Sequence, residues 1–140
     1  MMKLTILIPM TNAALKEAEV LVYDSTRRLM WPELCAKRPM LPAEIGPGVE
    51  VTLRNWLGRR AEGAVIVTRS EHAVLRVQRM VAEGAPIEVT IDFLGSTHPM
   101  ATVGPNGEVD TWPAGLFAED FEEVRAMRRA AEQRARAGGV

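Results

Sequence analysis

Residues 64–84 read AVIVTRSEHAVLRVQRMVAEG. Ala64, Val65, Ile66 and Val67 are four consecutive apolar residues ending on Thr68, the pattern of a parallel strand buried on both faces. Ser70 stands where an N-cap belongs, because its side-chain oxygen can satisfy one of the first free N–H groups of a helix. Val74, Leu75, Val77, Gln78 and Val81 then supply an inward face over Glu71–Glu83, and Gly84 takes the position just past the last turn. A short buried strand leading into such a helix predicts a parallel crossover unit, and hence an α/β fold.

Upstream, Val49–Arg60 places Val49, Leu53, Trp56 and Leu57 at helical spacing, and Glu62-Gly63 marks its stop. Lys3–Pro9 (KLTILIP) reads as a buried strand, although so short an apolar run also fits a helix segment. Thr11 or Asn12 can cap a short helix through Ala18, after which Glu19–Asp24 reads as a core strand. Between Ser25 and Gly48 stand Pro32, Pro39, Pro42 and Pro47 with two glycines, a density that predicts an irregular excursion. Downstream, Ile87–Phe93 alternates apolar and polar residues, the period of a strand near a sheet edge with one face wet. Gly104-Pro105-Asn106-Gly107 suits a hairpin turn between Met100–Val103 and Glu108–Asp110. Glu119–Ala137 begins acidic and ends in arginines, as the helix dipole favours, and is expected to form a long charged helix.

The chain has 140 residues, 47% hydrophobic and 25% charged, which fits a single soluble domain over 1–140. A net charge of −1 gives no overall basic field, so non-specific binding to nucleic acid is not expected. Cys35 is the lone cysteine and reads as an inert thiol; with no secretory pattern at the start, a reducing cytoplasm is the expected compartment. No apolar run approaches the roughly 20 residues needed to cross a bilayer, so no membrane partner is expected. His72 and His98 are the only histidines and have no other His or Cys at ligand spacing, so no metal site is predicted.

Thr68-Arg69-Ser70-Glu71-His72, the helix Ala73–Gly84, and the tail residues Gly107, Val109, Trp112, Pro113, Gly115, Leu116 and Phe117 carry a resemblance. Together they resemble the C-terminal part of the ATP-binding-cassette-type (AAA) ATPases with an OLD- or RecF-type head. Val20-Leu21-Val22-Tyr23-Asp24, with Pro32 eight residues after Asp24, extends it. The resemblance implies a small, mostly parallel sheet flanked by helices, a truncated P-loop unit over 1–95, with a β-hairpin and a charged helix over 96–140. It also implies a prokaryotic setting in DNA metabolism or in defence against phage and other mobile elements. In its register Asp24 stands where an acidic residue holds Mg²⁺, and Arg69 replaces the switch histidine that senses the γ-phosphate. Two departures weaken that chemistry: Ser25 follows Asp24 where cassette ATPases often have a carboxylate, and Arg27 reverses the charge of a family Glu.

A working cassette ATPase also needs a Gly-x-x-x-x-Gly-Lys-Ser/Thr loop to hold the phosphates. The sequence has none: Gly46-Pro47-Gly48 lacks a Lys and its Pro removes a donor, and no Leu-Ser-Gly-Gly signature occurs. The chain is therefore expected to be a non-catalytic, degenerate ATPase-like protein with no cofactor of its own. ATP and Mg²⁺ would enter only if a partner completed the site in trans, which requires Asp24 and Arg69 to face the same nucleotide. Asp24, Arg69, Ser70 and His72 form the candidate switch edge; a turn-capping Asp24 and a solvated Arg69 paired to Glu71 are the plainer readings. Trp112, Pro113, Leu116 and Phe117 either tuck against the chain's own sheet or form a docking plug for another protein. The expected partner is a protein: a complete ATPase, or further copies of the chain if it is a structural or accessory protein of a phage or mobile element.

Overall fold

Met2, Leu4, Ile6 and Ile8 alternate with Lys3, Thr5 and Leu7 along an eight-residue strand, β1 (Met2–Pro9), and the first four are fully buried. The computed structural model describes residues 1–24, 28–32, 42–114, 116 and 136–137. Around β1 lie α1 (Asn12–Asp24), β2 (Arg28–Met30), α2 (Pro42–Gly58), β3 (Gly63–Val67), α3 (Glu71–Ala82), β4 (Ile87–Leu94) and β5 (Ala101–Thr102). The strands form one sheet in the order β2-β3-β1-β4-β5. The pairs β2·β3, β3·β1 and β1·β4 are parallel, and β5 joins β4 antiparallel. The α/β class and the mostly parallel sheet read from residues 64–84 are thus the observed architecture.

The alternation along each strand separates two apolar layers. On one face Leu4, Ile6, Ile66, Val89, Ile91 and Phe93 pack beneath Ile45, Val49 and Leu53 of α2 and Val74, Val77 and Met80 of α3. On the other, Leu7, Val65, Val67 and Leu94 meet Leu15 and Ala18 of α1, with Trp31 beside them. A helical layer on each face buries the two-sided apolar strand β3, which is why its sequence shows no alternation.

Thr11 caps α1: its Oγ1 accepts the Ala14 N–H at 3.0 Å and its carbonyl accepts the Leu15 N–H at 2.9 Å. The helix continues to Asp24, so the strand expected over Glu19–Asp24 does not form. Length explains the correction. A helix ending at Ala18 would span about 10 Å, less than half of the roughly 26 Å of an eight-residue strand, and could not return the chain to the start of a parallel neighbour. Val20, expected in the core, is 57% exposed.

The excursion expected from Ser25 to Gly48 is also more ordered than its prolines suggested. Arg28–Met30 pairs with Ala64–Ile66 as the edge strand, and α2 begins at Pro42. Proline suits a first helical turn, whose N–H groups have no intrahelical partner. Pro47 lies deeper, and its missing N–H leaves the Ala43 carbonyl without the usual helical donor.

Helix α2 ends with the Ala61 N–H on Trp56 O and the Arg60 N–H on Leu57 O, both at 3.0 Å, and Arg60 has φ of +56°. Helix α3 ends in the same way on Gly84, φ +93°, as its sequence predicted. The hairpin is present as well: Val103 bridges Val109, the Gly104 N–H donates to Glu108 O at 2.7 Å, and Gly107 has φ of +81°. Its first strand is the fifth strand of the same sheet, so 96–110 extends the unit read as 1–95. The charged helix expected over 119–137 lies outside the described residues, apart from Arg136 and Ala137, which are helical.

Candidate functional site

In an open parallel sheet, ligands bind beyond the carboxyl ends of the strands, where neighbouring loops leave toward opposite faces. Here that place is between β1 and β3, since β1 leads to α1 on one face and β3 to α3 on the other. Thr68 closes the strand end. It is fully buried, its N–H donates to Leu7 O at 3.0 Å, and its Oγ1 accepts the Ser70 N–H at 3.0 Å. Ser70 is the N-cap residue by backbone geometry (φ −90°, ψ 122°), but its side chain makes no capping bond. Arg69 and His72 are exposed on the same edge.

Asp24 lies elsewhere. Helix α1 starts beyond the carboxyl end of β1 and ends before β2, whose first residue pairs with Ala64 near the start of β3. Asp24 is therefore at the amino edge of the sheet, whereas Arg69, Ser70 and His72 are at the carboxyl edge. The four residues expected to form one switch edge divide three and one. A half-site in which Asp24 and Arg69 face the same nucleotide is not assembled.

The N-terminus of α1 is the natural anion seat of a doubly wound sheet, and here it is occupied from within. The Thr11 hydroxyl holds the Ala14 N–H, and the Met10 N–H donates to Leu94 O at 2.8 Å. Gly95, at φ +80°, passes so close that a Cβ placed on it would stand 2.7 Å from Thr11 Oγ1 and 3.0 Å from Ala14 Cβ.

The tail residues are engaged with the chain's own core. Pro113 is buried, and Trp112 and Leu116 pack against the same apolar cluster as Phe93. Trp112 meets Phe93 edge to face with ring centroids 5.5 Å apart, and its Nε1 donates to Leu116 O. Phe117 lies outside the described residues, as does Cys35. Among the described residues no group of three or more His, Cys, Asp or Glu could hold a metal ion. Nor is any described helix long and apolar enough to cross a membrane.

One open cavity, of about 280 Å³, lies between the first turns of α2 and α3. Ala43, Gly46 and Pro47 form one wall; His72, Leu75, Arg76 and Arg79 form the other. Arg76 crosses between the helices, donating from Nη1 to Glu50 Oε1 at 2.9 Å, while its Nε and Nη2 lie over Gly46. Arg54 Nε donates to the other oxygen of Glu50 at 2.8 Å. These two bonds, Arg54 first and Arg76 second, hold the Glu50 carboxyl below its ordinary value. Of the residues lining this cavity, His72 alone belongs to the candidate switch edge. Its spacing to Arg76 and Arg79, four residues and then three, places all three on one helix face, but the opposing wall lay in a proline-rich stretch read as loop.

Compared with protein-family models, curated protein sequences and solved structures, the chain matches none.

Proposed function

We propose that this chain acts by contact with another protein and not by turning over a nucleotide. The observation that carries the reading is the N-terminus of α1, where the Thr11 hydroxyl already takes the Ala14 N–H and Gly95 packs closely against the Thr11 side chain. The missing Gly- and Lys-containing loop supports it independently, since nothing on β1–α1 supplies several converging N–H donors and a Lys. The likeness to cassette ATPases rests on Thr68–Gly84 and the tail Gly107–Phe117, extended by Val20–Asp24 and Pro32, and on that likeness the favoured partner is a complete ATPase working in DNA metabolism or phage defence. The placement of Asp24 at the amino edge of the sheet and of Arg69 at the carboxyl edge supports contact over a half-site lent to a partner's nucleotide.

The test is calorimetry of the purified chain with Mg·ATP, joined to backbone NMR to locate any bound nucleotide. No saturable uptake at Thr11, Thr68 or Arg69 is expected, and no phosphate release. Tight, Mg²⁺-dependent uptake with shifts at Thr11 and Thr68 would overturn the proposal. Size-exclusion chromatography with light scattering completes it: a monomer fits a chain that seeks a different protein, and a defined oligomer makes its own copies the partner.

A further inference from the structure

We propose that the cavity between α2 and α3 is a binding site for a small organic phosphate. Its donors form a stripe along α3, with His72, Arg76 and Arg79 on successive turns over about 10 Å. Among the described residues no carboxylate lines it. Both helices begin at the carboxyl edge of the sheet, so the positive ends of their dipoles lie on the same side of the cavity.

Arg76 is braced for such a role. Glu50 holds Nη1, which fixes the guanidinium plane and leaves Nε and Nη2 without a hydrogen-bond partner among the described residues. Gly46 makes this approach possible, because a Cβ there would stand 3.3 Å from Nε and 3.4 Å from Nη2. Among the described residues Arg79 is paired with Glu83 alone, at i,i+4, with side chains 61% and 47% exposed. An exposed pair of this kind contributes little, so Arg79 can turn toward a ligand at small cost. His72 makes no hydrogen bond or ion pair among the described residues.

The shape adds the organic part. A cavity of about 280 Å³ has room for roughly nine waters at about 30 Å³ each, near the lower end of ligand sites. Leu75, Ala43 and Pro47 give it apolar walls beside the cations. A phosphate presents oxygens in three directions and can engage the forks of Arg76 and Arg79 together with His72, whereas a planar carboxylate fills one fork.

The site is distinct from the filled seat at α1, so the inference stands or falls apart from the contact reading. Its test is an NMR titration of the whole ¹⁵N-labelled chain with phenyl phosphate, inorganic phosphate and phenol. Phenyl phosphate is expected to give saturable shifts centred on the amides of Gly46, His72, Arg76 and Arg79. Inorganic phosphate should follow the same residues more weakly, and phenol should move none of them. Loss of a charged hydrogen bond in Arg76→Gln or Arg79→Gln should weaken binding by roughly tenfold. Arg79 is exposed, so Arg79→Gln keeps the test open if Arg76→Gln unfolds. Absence of saturation, equal shifts at the distant exposed Arg28 and Arg59, equal binding of phenol, or undiminished affinity in Arg79→Gln would each overturn the proposal.

Discussion

Gly107 lies against Gln78: the Gln78 Nε2 donates to Gly107 O at 2.9 Å, and a Cβ on Gly107 would stand 2.5 Å from the Gln78 backbone oxygen. The turn of the hairpin thus docks on α3 through one residue that has no side chain and a φ of +81°. Gly107→Ala is expected to cost about 2–3 kcal/mol, combining left-handed strain with a clash against backbone that cannot give way. Gly58→Ala is the control. Nothing lies within 4 Å of its Cβ position, and it is expected to gain about 0.5 kcal/mol. Urea midpoints of the two variants should move in opposite directions.

Gly95 and Thr11 make a comparable contact between the end of β4 and the start of α1. Thr11→Ala removes the cap bond to Ala14 and is expected to cost about 1 kcal/mol. Gly95→Ala is expected to cost more, from its positive φ and the 2.7 Å approach to Thr11 Oγ1. Because Thr11→Ala also removes that clash, the double variant should be more stable than the sum of the two single effects. Strict additivity in a denaturation cycle would mean that the two residues do not share one space.

Glu50 gives the fold a pH dependence of known sign. Its folded pKa lies below the ordinary 4.5, first through the Arg54 bond and then through Arg76. Its contribution is therefore complete above about 4.5 and is lost as pH falls through the lower folded value. The stability gap between the natural chain and Glu50→Gln should stay constant from neutral pH to about that point and narrow below it. Asp110, lowered chiefly by the Thr102 N–H, should act likewise below its own ordinary 3.8. A gap that is already shrinking between neutrality and pH 4.5 would assign the slope to other groups.

Arg60 occupies the left-handed position that Gly84 fills at the end of α3. Arg60→Gly keeps the two closing hydrogen bonds and removes the side-chain penalty, so it is expected to stabilise by about 1 kcal/mol. A thermal midpoint that rises checks this, and one that falls would mean the Arg60 side chain contributes contacts of its own.

What the sequence made legible follows from how local each signal is. The apolar run 64–67, the period of α3, Gly84 and the Gly104–Gly107 turn are decided by residues within a few positions, and the structure bears them out. Glu19–Asp24 reads as a strand because Val20, Val22 and Tyr23 have strand propensity, while the distance α1 must cover to reach β2 depends on residues elsewhere. Pro42 points the opposite way, since a proline in a first turn favours a helix start that density alone hides, and α2 tolerates Pro47 inside it with one bond lost. The cavity was illegible for the same reason: its cations repeat on α3, but the wall that makes them a site comes from α2.

Trp112 decides whether the tail is part of the fold or a plug for another chain. Its ring meets Phe93 at 5.5 Å and 85°, His98 stacks edge-on against the same Phe93 at 5.2 Å, and His98 Nε2 shares a 2.8 Å hydrogen bond with Thr111 Oγ1. Phe93 is almost fully buried, so removing the indole uncovers the end of β4 as well as breaking the bond to Leu116 O. Trp112 is only half-buried, so Trp112→Ala is expected to cost about 2–3 kcal/mol, less than the roughly 3–5 of a fully buried aromatic. Trp112→Phe keeps the ring contact and loses the donor, and is expected to cost about 1 kcal/mol. That graded loss in urea unfolding is the signature of a residue holding its own domain together. A Trp112→Ala variant as stable as the natural chain would instead release Trp112 for contact with a partner.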